Sequence, residues 1–424
     1  MKNSVIPTAD PAVIQSNKEN WWVGIVRRLV HKHLAMIKKG HIVLLEDGER
    51  LSFGDAAAPA ELRATMEVHH PRAYVDVGLG GSVGAGKAYI EGTWSCDNLT
   101  AFFRIFILNR EVMIDVEKGW ARTTQPLLSL FQFLRRNTRK GSRKNIEAHY
   151  DLGNDFFKLF LDDTLTYSCG IFESEQTDLR EASVAKYDRL CQKIDLRPED
   201  HVLEIGTGWG GFAIHAVRNY GCRVTTTTIS PQQHALAAER IHEAGLDDRI
   251  TLLLEDYRDL EGQYDKLVSI EMIEAVGHKY YDIYFSTCAR LLKPNGVMAI
   301  QAITMTDQVY EGVKDSVDFI KRYIFPGSTI PSVTALCQSI TQSSDLRLFH
   351  LEDITSHYVT TLRRWRERFL ERINEVRALG YSEPFIRTWD FYFTYCEAGF
   401  AERWIGDVQM VMVKPEFRIG AVTT

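Results

Sequence analysis

Apolar positions between residues 200 and 305 follow two patterns in turn. Short apolar runs of strand length alternate with stretches in which apolar residues recur at helical spacing. The predicted strands are 201–206, 222–229, 250–255, 265–270 and 297–304, with predicted helices near 209–220, 231–244 and 279–292. This alternation implies an α/β fold with a doubly wound, Rossmann-like parallel sheet and right-handed crossovers.

The rhythm changes after residue 305. Helical spacing predominates near 314–324 and 333–341, and apolar runs at 346–352 and 407–413 predict that the chain then returns to the sheet. Ligands of doubly wound sheets bind outside the carboxyl ends of the strands. We therefore expect the helical insertion to cover such a site and to supply a substrate pocket.

The N-terminal part has a different pattern, which predicts a smaller α+β domain over residues 21–134. Residues 1–20 are polar and irregular, and we expect them to form a disordered tail. The elements predicted after it are a helix at 21–39, a hairpin at 41–53 turning at Glu46-Asp47-Gly48, short strands and turns to about 95, and helices near 98–118 and 124–136.

Basic residues are concentrated in two places. The predicted helix at 21–39 carries Arg27, Arg28 and Lys32, which fits either a domain helix with a solvated face or a helix lying on an anionic membrane. Residues 135–144 contain six basic residues and separate two compositionally different halves. They predict a linker to a catalytic domain at 145–424, and they also suit phospholipid headgroups, where each cation contributes about 1 kcal/mol.

Composition narrows the class of protein. The 424 residues carry a net charge of −6, which argues against a general nucleic-acid binder. No apolar run reaches the roughly 18–20 residues of a membrane span, and the N-terminus lacks a signal-peptide layout. The seven cysteines are scattered without C-x-x-C spacing, which argues against a disulfide framework and a zinc site. These features predict a cytoplasmic location and no bound metal.

A glycine-rich turn follows the first predicted strand of the sheet. Gly206-x-Gly208-x-x-Gly211 matches the dinucleotide fingerprint, whereas Glu204-x-Gly206-x-Gly208-x-Gly210 matches the first motif of S-adenosylmethionine methyltransferases. A dinucleotide site needs an acid about 20 residues further on, but the second strand has none. The third strand ends in acids followed by Tyr257, which suits an adenine ring. The pattern favours S-adenosylmethionine over NAD.

Several polar and aromatic motifs flank this sheet. In chain order they are His149-Tyr150-Asp151-Leu152, Thr166-Tyr167-Ser168-Cys169, the glycine loop, Asp256-Tyr257-Arg258-Asp259, Glu274, Tyr323-Ile324-Phe325-Pro326 and Trp365-x-Glu367-Arg368-Phe369. With these motifs the chain resembles the cyclopropane fatty acid synthases (cyclopropane-fatty-acyl-phospholipid synthases) from about residue 40 to 410. The resemblance implies a class I methyltransferase sheet.

The resemblance also implies a reaction and a set of site residues. The methyl group of S-adenosylmethionine is transferred to the cis double bond of an unsaturated phospholipid acyl chain, and a bound bicarbonate ion removes a proton so that a cyclopropane ring closes. The implied bicarbonate site consists of Cys169, Glu274, Gln301, Ile303 and Tyr358. The implied cofactor site consists of Tyr167, Ser168, Gly206, Gly208, Thr228, Gln233, Asp256 and Tyr257.

Two residues depart from the family's usual pattern, in which both positions are histidine. Ala275 follows the carboxylate Glu274, and Gln301 ends the fifth strand. Glutamine can donate an N–H to an anion but cannot titrate. The same variant resembles a branch of the family that makes methylene or methyl-branched chains, so the product stays open.

Two other classes remain as alternatives, a nicotinamide oxidoreductase and a non-catalytic lipid-binding protein. The segment from Gly86 to Asp97 resembles the family's accessory domain, which implies docking at the inner face of the membrane and positioning of the lipid. The resemblance also suggests a homodimer.

Overall fold

The computed structural model describes residues 21–110, 141 and 153–418. The chain forms two compact units. The first comprises Met1–Leu134, Ser316–Ile324 and Trp365–Trp404, and the second comprises Arg135–Asp315, Phe325–Arg364 and Ile405–Thr424. The predicted tail, the predicted helix near 124–136 and the His149 motif lie outside the described residues, as does the basic linker 135–144 apart from Gly141.

The first unit contains a four-stranded sheet. Its strands are β1 (His41–Glu46), β2 (Glu49–Gly54), β3 (Arg63–Val68) and β4 (Trp94–Cys96), in the order β2-β1-β3-β4. The predicted hairpin is confirmed, since β1 and β2 pair antiparallel. Asp47 and Gly48 both have positive φ, 50° and 81°, as a tight two-residue hairpin turn requires.

Helices surround this sheet, and one of them was not predicted. They are Trp21–Leu34, Arg72–Ile90 and Leu99–Leu108. The prediction of short strands and turns up to about 95 is therefore wrong over Arg72–Ile90. This helix is rich in glycine and is interrupted at Gly81, whose φ is 53°. A Cβ at Gly86 would lie 2.3 Å from Phe319 Cδ2. This close packing explains why a glycine, which disfavours helices, is found at position 86.

Part of the predicted insertion belongs to this first unit. Ser316–Ile324 and Trp365–Trp404 cluster with it, which differs from a catalytic domain running unbroken from 145 to 424. Tyr89 donates a hydrogen bond to the carboxylate of Asp390 at 2.8 Å, and Arg387 donates to the carbonyl of Trp94 at 2.8 Å. The helix Glu383–Ala401 thus completes the core of the first unit.

The second unit is built on the predicted doubly wound sheet. Its strands are β5 (His201–Ile205), β6 (Arg223–Thr227), β7 (Ile250–Leu253), β8 (Tyr264–Ile270), β9 (Leu292–Met305), β10 (Arg347–Asp353) and β11 (Ile405–Val413). The order is β10-β11-β9-β8-β5-β6-β7. The five strands β5 to β9 are parallel neighbours, and β11 pairs antiparallel with β9.

Helices pack on both faces of this sheet. Side chains alternate along β5, so that Val202 joins the apolar core of one face and Leu203 that of the other. The helices of this unit are Asn154–Phe160, Leu179–Lys193, Gly211–Tyr220, Pro231–Glu243, Ile273–Val276, Tyr281–Leu291, Asp307–Val313 and Val333–Ser343. The helix predicted at 314–324 is instead a π-helical turn at Ile320–Ile324 in the first unit.

The helix Thr355–Glu371 contains the boundary at which the chain passes from the second unit to the first. Across the described ranges, no helix has both the length and the apolar character needed to cross a membrane.

Candidate active site

The glycine loop lies at the carboxyl end of β5, where the doubly wound topology places ligands. Gly206 and Gly208 have φ values of 104° and 53°, which side-chain-bearing residues rarely adopt. A Cβ at Gly206 would lie 3.3 Å from Met272 Cγ, in the turn that follows β8. The loop therefore brings its backbone close to that turn and then opens the helix Gly211–Tyr220, whose N–H groups face the same edge.

Thr228 and Gln233 form one hydrogen-bonded pair after β6. The Thr228 hydroxyl donates to Gln233 Oε1 at 2.8 Å, and both side chains are buried. Ser230 caps the helix Pro231–Glu243, since its Oγ accepts a hydrogen bond from the backbone amide of Gln233 at 3.3 Å. The cap fixes Gln233 in the first turn of the helix, close to the end of the neighbouring strand.

Asp256 and Tyr257 follow β7, as predicted, but the Asp256 carboxylate already has a partner. The Arg258 guanidinium donates to both of its oxygens, at 2.7 and 2.6 Å. The Tyr257 ring lies 5.4 Å from that of Tyr284, edge to face. An adenine at this edge of the sheet would meet the Asp256 carboxylate, whose charge the Arg258 guanidinium balances. It would also meet the face of the Tyr257 ring.

Tyr167 and Ser168 approach the glycine loop from the segment before the sheet. The Phe157 ring lies 5.4 Å from Tyr167 and 5.0 Å from Trp209 of the loop, so an aromatic cluster joins the two. Lys186 donates to Ser168 Oγ at 2.6 Å. Burial lowers the pKa of Lys186 to about 8, although neighbouring acids oppose this shift.

The most specific contacts converge on Glu271, a residue that the sequence did not single out. The Cys169 amide and Gln301 Nε2 each donate to Glu271 Oε1 at 2.8 Å. The Tyr358 hydroxyl donates to Glu271 Oε2 at 2.6 Å. The structure thus brings three of the predicted site residues together, around a carboxylate of the protein itself.

Backbone conformation directs Glu271 toward these donors. It follows β8 directly and has a φ of 48°, in the left-handed region that costs a residue with a side chain about 1–3 kcal/mol. The backbone amide of Glu271 donates to the backbone carbonyl of Gln301 on β9 at 2.8 Å. This hydrogen bond holds the turn after β8 in place. Backbone strain at a half-buried, fully hydrogen-bonded carboxyl group indicates a functional constraint on this residue.

The amide of Gln301 is oriented by two further residues. Lys193 Nζ, which can only donate, bonds Gln409 Oε1 at 2.6 Å. Gln409 Nε2 then donates to Gln301 Oε1 at 3.0 Å. Because its oxygen is engaged there, Gln301 directs its amide nitrogen to Glu271 Oε1 at 2.8 Å, and more weakly to the Cys169 carbonyl and Asp407 Oδ2, each at 3.3 Å.

Glu274 and Asp407 complete a cluster of three carboxyl groups. Glu274 Oε1 accepts from the Ile303 amide at 2.5 Å, so the predicted backbone contact of Ile303 goes to Glu274. Burial and the charge of Glu271 raise the pKa of Glu274 to about 8. Burial and the charges of both glutamates raise the pKa of Asp407 well above its usual range. Glu274 and Asp407 therefore tend to keep their protons at neutral pH.

The thiol of Cys169 is directed away from the Glu271 carboxylate. Its Sγ donates to the carbonyl of Gly170 at 3.3 Å, and Thr361 Oγ1 lies 3.9 Å from the sulfur. Burial raises the pKa of this thiol well above its ordinary value, so it stays protonated. The backbone amide of Cys169 therefore contacts the Glu271 carboxylate, and its thiol does not.

A separate bicarbonate ion does not fit this arrangement. The donors expected to hold it, on Cys169, Gln301 and Tyr358, are bonded to Glu271. Among the described residues, the cluster's buried atoms without a hydrogen-bond partner are carboxyl oxygens, one on Glu274 and one on Asp407. Neither replaces the amide and hydroxyl donors that Glu271 already occupies.

Comparisons with known proteins show the family to which the chain belongs. Residues 137–410 match the family described as mycolic acid cyclopropane synthetase. The chain is 37% identical over 372 residues to the tuberculostearic acid methyltransferase UfaA1 of Mycobacterium tuberculosis, covering 86% of each chain. It is 36% identical to the cyclopropane-fatty-acyl-phospholipid synthase of Escherichia coli K12, covering 85% of this chain and 88% of that one.

Solved structures lead to the same conclusion. The M. tuberculosis cyclopropane synthase MmaA2 aligns with a TM-score of 0.60 and 31% identity, over 64% of this chain and 98% of that one. The mycolic acid cyclopropane synthase CmaA1, solved with S-adenosylhomocysteine (SAH) and CTAB, aligns with a TM-score of 0.60 and 30% identity over the same shares. The chain belongs to the mycolic acid cyclopropane synthetase family of S-adenosylmethionine-dependent methyltransferases.

Proposed function

We propose that this protein transfers the methyl group of S-adenosylmethionine to the cis double bond of an unsaturated phospholipid acyl chain, and that a cyclopropane ring results. The observation that carries the proposal is the Glu271 carboxylate, held by three donors in the turn that lies against the glycine loop. Methylating an alkene creates a cation, and closing the ring requires a group that accepts a proton beside the methyl donor.

The cofactor supplies an activated methyl group when it is bound. Gly206 and Gly208 would admit it closely, because neither has a side chain in the way. Thr228, Gln233, Asp256 and Tyr257 would hold its adenosine part, and Tyr167 and Ser168 would close the site from the other side. This assignment rests on the position of these residues around the carboxyl ends of β5, β6 and β7.

Aromatic side chains near Tyr167 give the cation a favourable environment. Phe325 lies 6.2 Å from the Tyr167 ring, and Phe160 lies 6.1 Å from it on the same cluster. Aromatic faces attract a cation without bonding to it covalently, so the intermediate survives until a proton leaves.

A second product is supported by one comparison. The relative that is 37% identical is named a tuberculostearic acid methyltransferase, and Gln301 and Ala275 stand where other members have histidine. In this alternative the same cation rearranges by hydride shift and gives a methylene chain, which a partner enzyme later reduces. Both products share methyl transfer and loss of one proton.

Membrane association is proposed from the first helix. Trp21 is 63% exposed and Trp22 is 45% exposed, on a helix that also carries Arg28 and Lys32. Arg27 is already paired with Glu46 at 2.8 Å within the first unit. Amphipathic tryptophans beside cations suit an anionic lipid surface. We propose peripheral binding to the inner face of the membrane, and a homodimer from the resemblance alone.

Lipid analysis tests the proposal. Purified protein is incubated with S-adenosylmethionine and vesicles of unsaturated phospholipid, and the acyl chains are examined by gas chromatography–mass spectrometry. The proposal predicts chains with one added CH2 unit and no double bond, whereas the alternative predicts an isomer that keeps its unsaturation. Formation of either product excludes a non-catalytic lipid-binding protein. Binding of NAD(P) instead would identify an oxidoreductase.

A further inference from the structure

The Glu271 carboxylate is bonded to donors that the family resemblance assigns to a bound anion. Its two oxygens accept three hydrogen bonds from donors on three separate segments, Cys169, Gln301 and Tyr358. Each donor is also directed by other contacts, as the Lys193–Gln409–Gln301 series illustrates. Such an arrangement is suited to hold one carboxylate in one orientation.

We propose that Glu271 is an internal base that takes the place of bicarbonate in this protein, which therefore needs no added anion for its reaction. This inference rests on the proposed function. It concerns the source of the base, whereas the proposed function concerns the substrate and the bond that forms.

The location of Glu271 in the sheet supports this role. β8 lies between β5, which carries the glycine loop, and β9, which carries Gln301 and Ile303. Glu271 is the first residue beyond β8, and the next residue, Met272, lies against Gly206. The carboxylate is thus one residue away from the part of the chain that borders the cofactor loop.

The proton balance needs no other reactant. The methyl carbon forms a bond to one alkene carbon, and the sulfonium leaves as a neutral thioether. One C–H bond of that methyl group then breaks, its electron pair forms the second ring bond, and the proton goes to a Glu271 oxygen. A later exchange with water releases the proton, so that one proton appears for each ring formed.

Two further carboxyl groups lie in the cluster with Glu271. Glu274 and Asp407 face it from the helix Ile273–Val276 and from β11, and burial raises the pKa of each. Lys186 on the helix Leu179–Lys193 is the cation that acts on Asp407, and its own pKa is lowered to about 8 by burial. Of the three carboxyl groups, Glu271 is the one whose oxygens accept three fixed hydrogen bonds.

Two substitutions separate this inference from a merely structural role. Glu271→Gly removes the carboxylate and suits the φ of 48°, so it should fold well and leave a site for an anion. Glu271→Gln removes the base but keeps the site filled. The matched control is Asp195→Gly, since Asp195 also has a φ of 48° and is exposed.

The first readout is the binding of ¹³C-labelled bicarbonate, which is detected as a change in the width of its NMR line. We expect saturable broadening with Glu271→Gly and none with the unchanged protein, Glu271→Gln or Asp195→Gly. Saturable binding to the unchanged protein, or none to a folded Glu271→Gly variant, would overturn the inference. This readout does not require lipid turnover.

The second readout is lipid product in buffer depleted of bicarbonate. The unchanged protein should keep its full rate, and Glu271→Gly should lose about 100-fold or more and recover part of it when bicarbonate is added. Glu271→Gln should not recover. A bicarbonate requirement in the unchanged protein contradicts the inference, as does full activity of Glu271→Gly without the ion. Absence of product from the unchanged protein at every bicarbonate concentration contradicts the proposed function instead.

Discussion

The amide of Cys169 lies 2.8 Å from Glu271 Oε1, although 102 residues separate the two along the chain. The contact joins the segment before the sheet to the turn after β8, and Tyr358 reaches the same carboxylate from the helix Thr355–Glu371. A half-buried polar group is stabilised where its hydrogen bonds are satisfied. These contacts therefore make the donors around Glu271 the most sensitive part of the site.

Removing the Tyr358 hydroxyl should weaken the reaction without affecting the cofactor. Tyr358→Phe deletes one charge-assisted hydrogen bond to Glu271, which contributes about 1.5–3 kcal/mol. We expect kcat for lipid methylation to fall by about ten- to a hundredfold, with unchanged S-adenosylmethionine affinity by calorimetry. An unchanged kcat would show that this hydroxyl does not support the acceptor.

Gln409 is predicted to act as a positioning residue through Gln301. Gln409→Glu still accepts from Lys193 but offers no donor to Gln301 Oε1, so the Gln301 amide is expected to rotate and present its oxygen to Glu271. Gln409→Met removes the hydrogen bond to Gln301 Oε1 without replacing it, so the orientation of the Gln301 side-chain amide is no longer fixed. We expect kcat to fall more in Gln409→Glu than in Gln409→Met, with KM for vesicles retained in both. Equal losses, or a change confined to KM, would argue against this role.

The glycine loop should tolerate no side chain at Gly206. Gly206→Ala combines a φ of 104° with a Cβ 3.3 Å from Met272 Cγ, so the loop must shift and cofactor affinity should be lost. Gly245→Ala is the matched control, because its φ is 67° and no atom lies within 4 Å of the added Cβ. The control should lower the melting temperature but keep cofactor binding by calorimetry. Equal binding losses in both variants would mean that strain alone explains the effect.

Stability should fall as the pH rises, because the buried acid Glu204 keeps a proton in the folded state. Burial raises the pKa of Glu204 from 4.5 to about 8, against the hydrogen bond from Thr226. Between these values the unfolded chain releases a proton that the folded chain retains, so each pH unit costs at most about 1.4 kcal/mol. Glu204→Gln should reduce this slope in urea unfolding between pH 5 and 8, and exposed Glu243→Gln should leave it unchanged. A slope that persists in Glu204→Gln would assign it to other groups.

Membrane binding should depend on charge and on the exposed tryptophans. Sedimentation with anionic vesicles is expected to weaken sharply as salt is added, because mobile ions screen Arg28 and Lys32. Replacing Trp21 and Trp22 by alanine should lower binding at every salt concentration, since their apolar rings are exposed. Binding that salt does not change would remove the electrostatic part of the proposal.

The doubly wound sheet was predictable because its signals are local. The strands β5 to β9 are rich in apolar or β-branched residues, and each crossover helix has its own spacing. The helix Arg72–Ile90 was not predictable in the same way, since its glycines disfavour a helix. Gly86 is explained by packing against Phe319, which lies far along the chain. The assignment of Trp365–Trp404 to the first unit likewise depends on long-range contacts such as that of Tyr89 with Asp390.

Sequence reasoning named several residues of this cluster but not its centre. Cys169, Gln301 and Tyr358 were predicted from the family resemblance, and the structure places all three around Glu271, while their roles stay predictions. Glu271 lies three residues before the predicted Glu274, in a position where the only signal was an acid directly after a buried strand. Its left-handed backbone conformation, which directs the side chain into the cluster, has no signature in the sequence.

The transfer itself is tested most directly with S-adenosylmethionine that carries a fully deuterated methyl group. After incubation with unsaturated phospholipid vesicles, mass spectrometry of the acyl chains counts the deuterium atoms on the added carbon. Methyl transfer followed by loss of one proton to a base predicts two deuterium atoms for each carbon added. Acyl chains without deuterium, or with all three atoms retained, would contradict this account.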